Sequence, residues 1–280
     1  MARPGEGYRE WALVDVNDRW NGSKEPEFYD NKGDVMSEIH KTRTREVLAA
    51  GVSSCPGGWA AAIERSDGVV EVAFDESFER LVRGLRDRGA RVIAVGVPIG
   101  LPERPEFRRC DKEARDRLGE RKNSVFPVPD RELLTAATYE EAKLLVAKRK
   151  GHNPSEKGIS VQSYNTGKKS MEVDAFVRAN PDCHAWLVEV HTEVSFYSMA
   201  ADALPKRASR EGAMRREALL RRELKDVDLP KDLPSPGKAQ RVQVLSALAA
   251  LWSARRFADK RCVVLGGDLD ARGVPMRMIV

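Results

Sequence analysis

The sequence predicts an α/β domain built on a mixed sheet, and three observations carry that expectation. Residues 45–74 hold three strand-like runs joined by two tight turns, residues 92–100 form an unbroken apolar run, and a long helix with an apolar stripe stands near the end of the chain. Together they define the order βββαβ…β…α, with helices flanking the sheet.

Each element has its own local reason. REVLAAGVSS (45–54), the turn PGG, WAAAIE (59–64), the turn SDG and VVEVAF (69–74) read as an antiparallel meander, because turn residues separate short runs of strand-forming side chains. A helix follows with Ser77 near its start and Phe78, Leu81, Val82 and Leu85 on one face. VIAVGVPIG (92–100) has the character of a buried parallel strand. Residues 101–170 are mostly polar and read as an insertion of helices and ordered loops, the kind of segment that often shapes a site. Residues 171–180 close a helix, AWLVEVH (185–191) reads as a strand and EVSFYSMA (193–200) as a short helix directly after it. A charged helix over 209–225 precedes LPKDLPSPG (229–237), whose three prolines interrupt regular structure. The last helix, 238–258, carries Val242, Leu245, Ala249 and Trp252 on one stripe, and the short strands CVVLG and VPMRMIV follow. Residues 1–44 show neither periodicity and read as an extension laid on the main domain, 45–280.

Composition narrows the function classes. With 280 residues, 41% of them apolar, the chain buries a sizeable core. The 48 basic and 43 acidic residues leave a net charge of only +5, which excludes a globally cationic surface but allows a local basic patch. Cys55, Cys110, Cys183 and Cys262 lie far apart with no CxxC pairing, so neither a zinc site nor a disulfide framework is expected, and a reducing, cytoplasmic setting suits them. No run approaches the ~18 apolar residues of a membrane span, and the first residues have no signal-peptide core.

Five strings share an order and spacing: CPGGW (55–59), VPIGLP (97–102), RCDKEAR (109–115) with SVFPVP (124–129), EVHTEVSF (189–196) and VLSALAALWSARR (244–256). Together they resemble a family known only as a domain of unknown function, whose members are predicted RNase H-like nucleases. The resemblance implies the RNase H-like fold, in which acids from the ends of the first and fourth strands and from the last helix converge on divalent metal ions. Two-metal chemistry needs carboxylate oxygens there, because hard Mg²⁺ or Mn²⁺ must be held while water is activated at a phosphate. By that resemblance the metal positions fall at Ser53, at Gly96, and at Val242, Gln243 and Ser246, none of which is acidic. The expectation is therefore no metal cofactor, with Mg²⁺ or Mn²⁺ only if other carboxylates rebuild the site.

Acids do remain nearby. Glu189, His191 and Glu193 are the catalytic candidates, with Glu189 and His191 on one face of a strand end. The competing reading pairs Glu189 with an arginine and sets Glu193 at a helix N-terminus. Ligand-binding candidates are Arg109, Asp111, Arg115, Arg121, Ser124 and Gln162, in stretches that also hold Arg108 and Lys122, since arginine forks match phosphate oxygens. The many acids among them favour a solvated, internally paired helix instead. The basic stretch from Lys148 to Lys169 has the composition to track a phosphate backbone.

Three functions are compatible with these residues. The leading one is a degenerate RNase H-like protein that binds a nucleic acid, nucleotide or other phosphorylated small molecule in a retained cleft. The second is a hydrolase or transferase working through Glu189, His191 and Glu193 with little or no metal. The third is a structural protein that binds a partner through residues 1–44 or the 209–225 helix.

Overall fold

The computed structural model describes residues 46–280 except 105–106, 153–157, 234–235 and 238, and the side chain of His152. The 1–44 extension lies outside the described residues. The meander appears as β1 (Val47–Cys55), β2 (Gly58–Arg65) and β3 (Val70–Asp75), followed by helix α1 (Phe78–Asp87) and β4 (Val92–Val95). After the insertion come β5 (Leu187–Val190), α6 (Thr192–Ala200), α7 (Arg210–Glu223), α8 (Arg241–Ala258) and the hairpin β6 (Val264–Leu269) and β7 (Pro275–Ile279). The insertion contains α2 (Arg109–Leu118), α3 (Arg131–Thr135), α4 (Tyr139–His152) and α5 (Val161–Ala179).

The seven strands form one sheet in the order β3-β2-β1-β4-β5-β7-β6. β1, β2 and β3 are antiparallel neighbours, β4 runs parallel to β1, and β5 runs parallel to β4. This is an α/β RNase H-like architecture. Both faces are covered: α8 packs on one, beside α6 and α7, while α1 and α5 cover the other. Double coverage explains why β1, β2 and β4 read as nearly continuous apolar runs.

The approach of α8 to the sheet is set by one glycine. A Cβ on Gly51 would stand 2.0 Å from the Leu251 nitrogen and 2.1 Å from the Ala247 oxygen, so only glycine lets the helix backbone seat directly on β1. Ala247, Ala250 and Ala254 complete this close contact.

Two boundaries depart from the sequence reading, which left the pairing of the final two strands open. The 92–100 run is a strand only to Val95, because its parallel partner β1 stays paired only through Val52↔Val95; Gly96 N–H then donates to the Val52 carbonyl at 2.8 Å and the chain turns away. Helix α5 runs unbroken across residue 170, where the insertion was expected to end, and packs on α1 up to a 3-10 turn at Pro181–Ala185. The final hairpin is also part of the main sheet, since β7 pairs in parallel with β5. Among the described residues no helix is long and apolar enough to cross a membrane.

Candidate functional site

β1, β4 and β5 are parallel, so their carboxyl ends lie along one edge of the sheet, where α/β folds place their ligand crevices. A cavity of about 400 Å³ opens there. The sheet contributes Ser53, Ser54, Gly96, Glu189 and Val190, and α8 contributes Ser246. The α6 entry adds His191, Thr192 and Glu193, the insertion adds Arg108, Asp111 and residues 124–129, and the segment before α7 adds Lys206 and Arg207. The cavity therefore gathers three of the five positions at which the resemblance implies metal ligands, Ser53, Gly96 and Ser246. Val242 is not among its lining residues, and Gln243 is turned to local work: its side-chain oxygen accepts from the Gln240 N–H at 3.0 Å and caps α8.

The floor is a closed ionic cluster. Arg108 donates from Nη2 to Glu189 Oε1 at 2.5 Å and from Nη1 to Glu189 Oε2 at 2.8 Å. The same guanidinium grips Asp111 through Nη2 at 2.7 Å and Nε at 3.0 Å, and reaches the Ile99 carbonyl at 2.9 Å. Glu189 also accepts from the Ile99 N–H at 2.7 Å, which fixes the loop after β4. All three side chains are buried. Burial works against the Arg108 charge, but Glu189 and then Asp111 more than offset it and raise its pKa further. Glu189 thus takes the arginine-paired alternative weighed from the sequence.

Glu193 is likewise committed. Arg216 of α7 donates to it from Nη2 at 2.7 Å and from Nε at 3.2 Å, and gives Nη1 to the Pro205 carbonyl at 2.9 Å. That second bond tethers the stretch carrying Lys206 and Arg207 beside the cavity. His191, at the N-cap of α6, is the exception: its buried Nδ1 has no hydrogen-bond partner among the described residues. Burial holds the imidazole below its ordinary value of 6.5 despite Glu193 and Asp111 nearby, so the ring is neutral at pH 7.

The rim is built differently. Arg121, Lys206 and Arg207 line the cavity, and none pairs with a carboxylate among the described residues. Arg121 stands on a 3-10 turn (Gly119–Ser124) held in place by Arg115, whose Nη1 donates to the Lys122 carbonyl at 2.9 Å and the Val125 carbonyl at 2.8 Å. Arg115 itself is not in the cavity; its guanidinium covers the Phe107 ring. Arg109 lies outside as well, exposed and paired with Glu113 at 2.8 Å. Gln162 is exposed on the first turn of α5, while the next residue, Ser163, lines the cavity. Ser124 and Asp111 do line it.

The donors present do not suit a pair of hard divalent ions. Ser53 and Ser246 are neutral, and the Ser246 hydroxyl donates to the Val242 carbonyl at 2.9 Å. Ligand atoms of Cys110, Asp111 and Glu189 do lie within 4.8 Å of one another. Burial, reinforced by Glu189, pushes the Cys110 thiol far above the usual range and keeps it protonated, and both carboxylates already hold Arg108.

A model for proteins of unknown function, DUF429, matches residues 51–271. The chain belongs to the DUF429 family. The match begins at Gly51, the residue that seats α8, and takes in every wall of the cavity except Met278. No curated protein and no solved structure matches this DUF429 chain.

Sequence reasoning did not single out Lys206, Arg207 or Phe126 as site residues. Lys206 and Arg207 sit in an unpatterned stretch, and their place beside the cavity depends on the remote Arg216–Glu193 pair, which no local spacing reveals. Phe126 did carry a signal: in SVFPVP the two prolines interrupt any helix or strand, so the aromatic has no periodic apolar face to join.

Proposed function

We propose that this DUF429 protein is an RNase H-like domain that has given up two-metal nuclease chemistry and uses the retained cleft to bind a phosphorylated ligand. The observation that supports it most is the Arg108 guanidinium held between Asp111 and Glu189. The guanidinium stands where a metal's charge would otherwise be needed to offset these carboxylates, and it ties up the oxygens a metal would require. Ser53, Gly96 and Ser246, at the positions that the resemblance assigns to metal ligands, offer no compensating charge. Arg121, Lys206 and Arg207, unpaired with any carboxylate among the described residues, then bring positive charge to a cavity with serine and threonine hydroxyls in its wall, a combination suited to phosphate oxygens.

Titration with ribose 5-phosphate in the presence of EDTA tests this reading. Saturable binding is expected at low ionic strength, weakening with salt and lost in the Arg121→Glu, Arg207→Glu double variant. Absence of binding by the folded wild-type protein to ribose 5-phosphate and to every nucleoside monophosphate would overturn it.

The acid–base reading finds support in one group. Glu189 and Glu193 are bound to arginines, which leaves neutral His191, with its unpartnered Nδ1, as the available base. Metal-independent hydrolysis of an activated phosphoester, lost in His191→Gln with binding intact, is the result that would favour it.

A further inference from the structure

Phe126 lines the cavity yet is 47% exposed, and it is the only aromatic among the exposed large apolar side chains of the described residues. Val125 just before it and Val128 two residues after it are buried, and Pro127 and Pro129 fix the backbone around it. Arg115 holds the Val125 carbonyl from behind. The ring is thus carried on an anchored segment with about half of its surface left exposed. An exposed phenylalanine held rigidly at a cavity edge contributes little to folding, and it offers a flat apolar surface to a planar ligand.

The same cavity carries unpaired cations and wall hydroxyls, so three chemistries meet in one space: a ring platform, sugar-compatible hydroxyls and phosphate-compatible cations. Its volume of about 400 Å³ falls at the lower end of the ~300–1,000 Å³ typical of small-molecule pockets. A sheet that binds single strands presents successive aromatic platforms along a basic track; among the described residues the cavity lining holds one phenylalanine, tyrosine or tryptophan ring, Phe126, beside Arg121, Lys206 and Arg207.

Resting on the phosphate-binding reading above, we infer that the ligand is a single nucleoside monophosphate, its base stacked on Phe126 and its phosphate held by Arg121, Lys206 and Arg207. Ser53, Ser124 and Ser246 provide the hydroxyls for the sugar between them. The α6 N-terminus, which has no side-chain cap, adds backbone dipole to the phosphate end but is not the basis of the assignment.

Calorimetric titration in EDTA with AMP, GMP, CMP and UMP, ribose 5-phosphate and a twelve-residue oligothymidylate tests it. At least one monophosphate is expected to bind about tenfold more tightly than ribose 5-phosphate, as one base–aromatic stack implies. Phe126→Ala should erase that margin while leaving ribose 5-phosphate binding unchanged, and Phe126→Tyr should restore it. Equal affinity for ribose 5-phosphate and every monophosphate would overturn the base platform while leaving the phosphate reading intact. Tenfold tighter binding of the oligonucleotide than of any monophosphate would overturn the single-nucleotide assignment in favour of a strand. Failure of every phosphorylated probe would remove the phosphate reading itself.

Discussion

The floor and the rim of the cleft hold charge in opposite ways. In the floor, Arg108, Asp111 and Glu189 are buried and bonded to one another, so their charge fixes the loop after β4 and the start of α2. At the rim, Arg121, Lys206 and Arg207 reach the cavity with no acidic partner among the described residues, on segments that Arg115 and Arg216 hold in place. A charge desolvated and paired within the protein is a structural element; a charge left unpaired beside a cavity is available to a ligand. Floor variants should therefore cost stability and rim variants should cost binding.

The largest effect is expected at Arg108. Replacement by methionine leaves two buried carboxylates without their cation, which typically costs about 3–5 kcal/mol, and denaturant unfolding should show a large fall in midpoint. Glu189→Gln should also destabilise, by less, because Asp111 still holds the guanidinium. Equal stability of either variant with the wild type would mean that the floor is not structural.

Gly51→Ala acts on the wall that brings Ser246 to the floor. Its Cβ would meet helix backbone, which cannot swing aside, so a loss of at least about 1–3 kcal/mol is expected by thermal or chemical denaturation. A neutral result would contradict the close seating of α8.

His191 lies between the two regions. Its folded pKa is lowered below 6.5, so the unfolded chain binds the proton more readily and stability falls as pH drops through 6.5. Unfolding free energies at pH 7.5, 6.5 and 5.5 should decline less steeply in His191→Asn than in the wild type. Identical slopes would show that the ring is not buried in neutral form. The smallest stability effect belongs to the rim: Arg207→Ala should stay within about 0.5 kcal/mol of the wild type while weakening ribose 5-phosphate.

Much of the fold was legible because its signals are local. The meander, α1, β5, α6 and α8 each follow from turn residues, apolar runs or stripes within a short window. The parallel pairing of β7 with β5 joins Glu189 to Met278 and Val190 to Ile279, far apart in the chain, and a short apolar run carries no mark of its partner. The candidate site divides along the same line. Ser53, Gly96, Asp111, Ser124, Glu189, His191, Glu193 and Ser246 come together because strand ends and helix termini place them. Arg109, Arg115, Gln162 and Gln243 do not enter the cavity, because a basic or polar residue on a helix or turn has several faces to point to and composition does not choose among them. Arg108, one residue from Arg109, takes the cavity because it is the N-cap of α2 rather than part of its exposed face.

Calorimetric titration of the wild-type protein with Mn²⁺ at pH 7.5 tests the metal-independent cleft most directly. With Arg108 bound to both remaining floor carboxylates, no stoichiometric binding is expected at micromolar concentrations. Micromolar binding of one or two ions per chain, competed by Mg²⁺, would mean that the carboxylates exchange the guanidinium for metal and would return the protein to the two-metal nucleases.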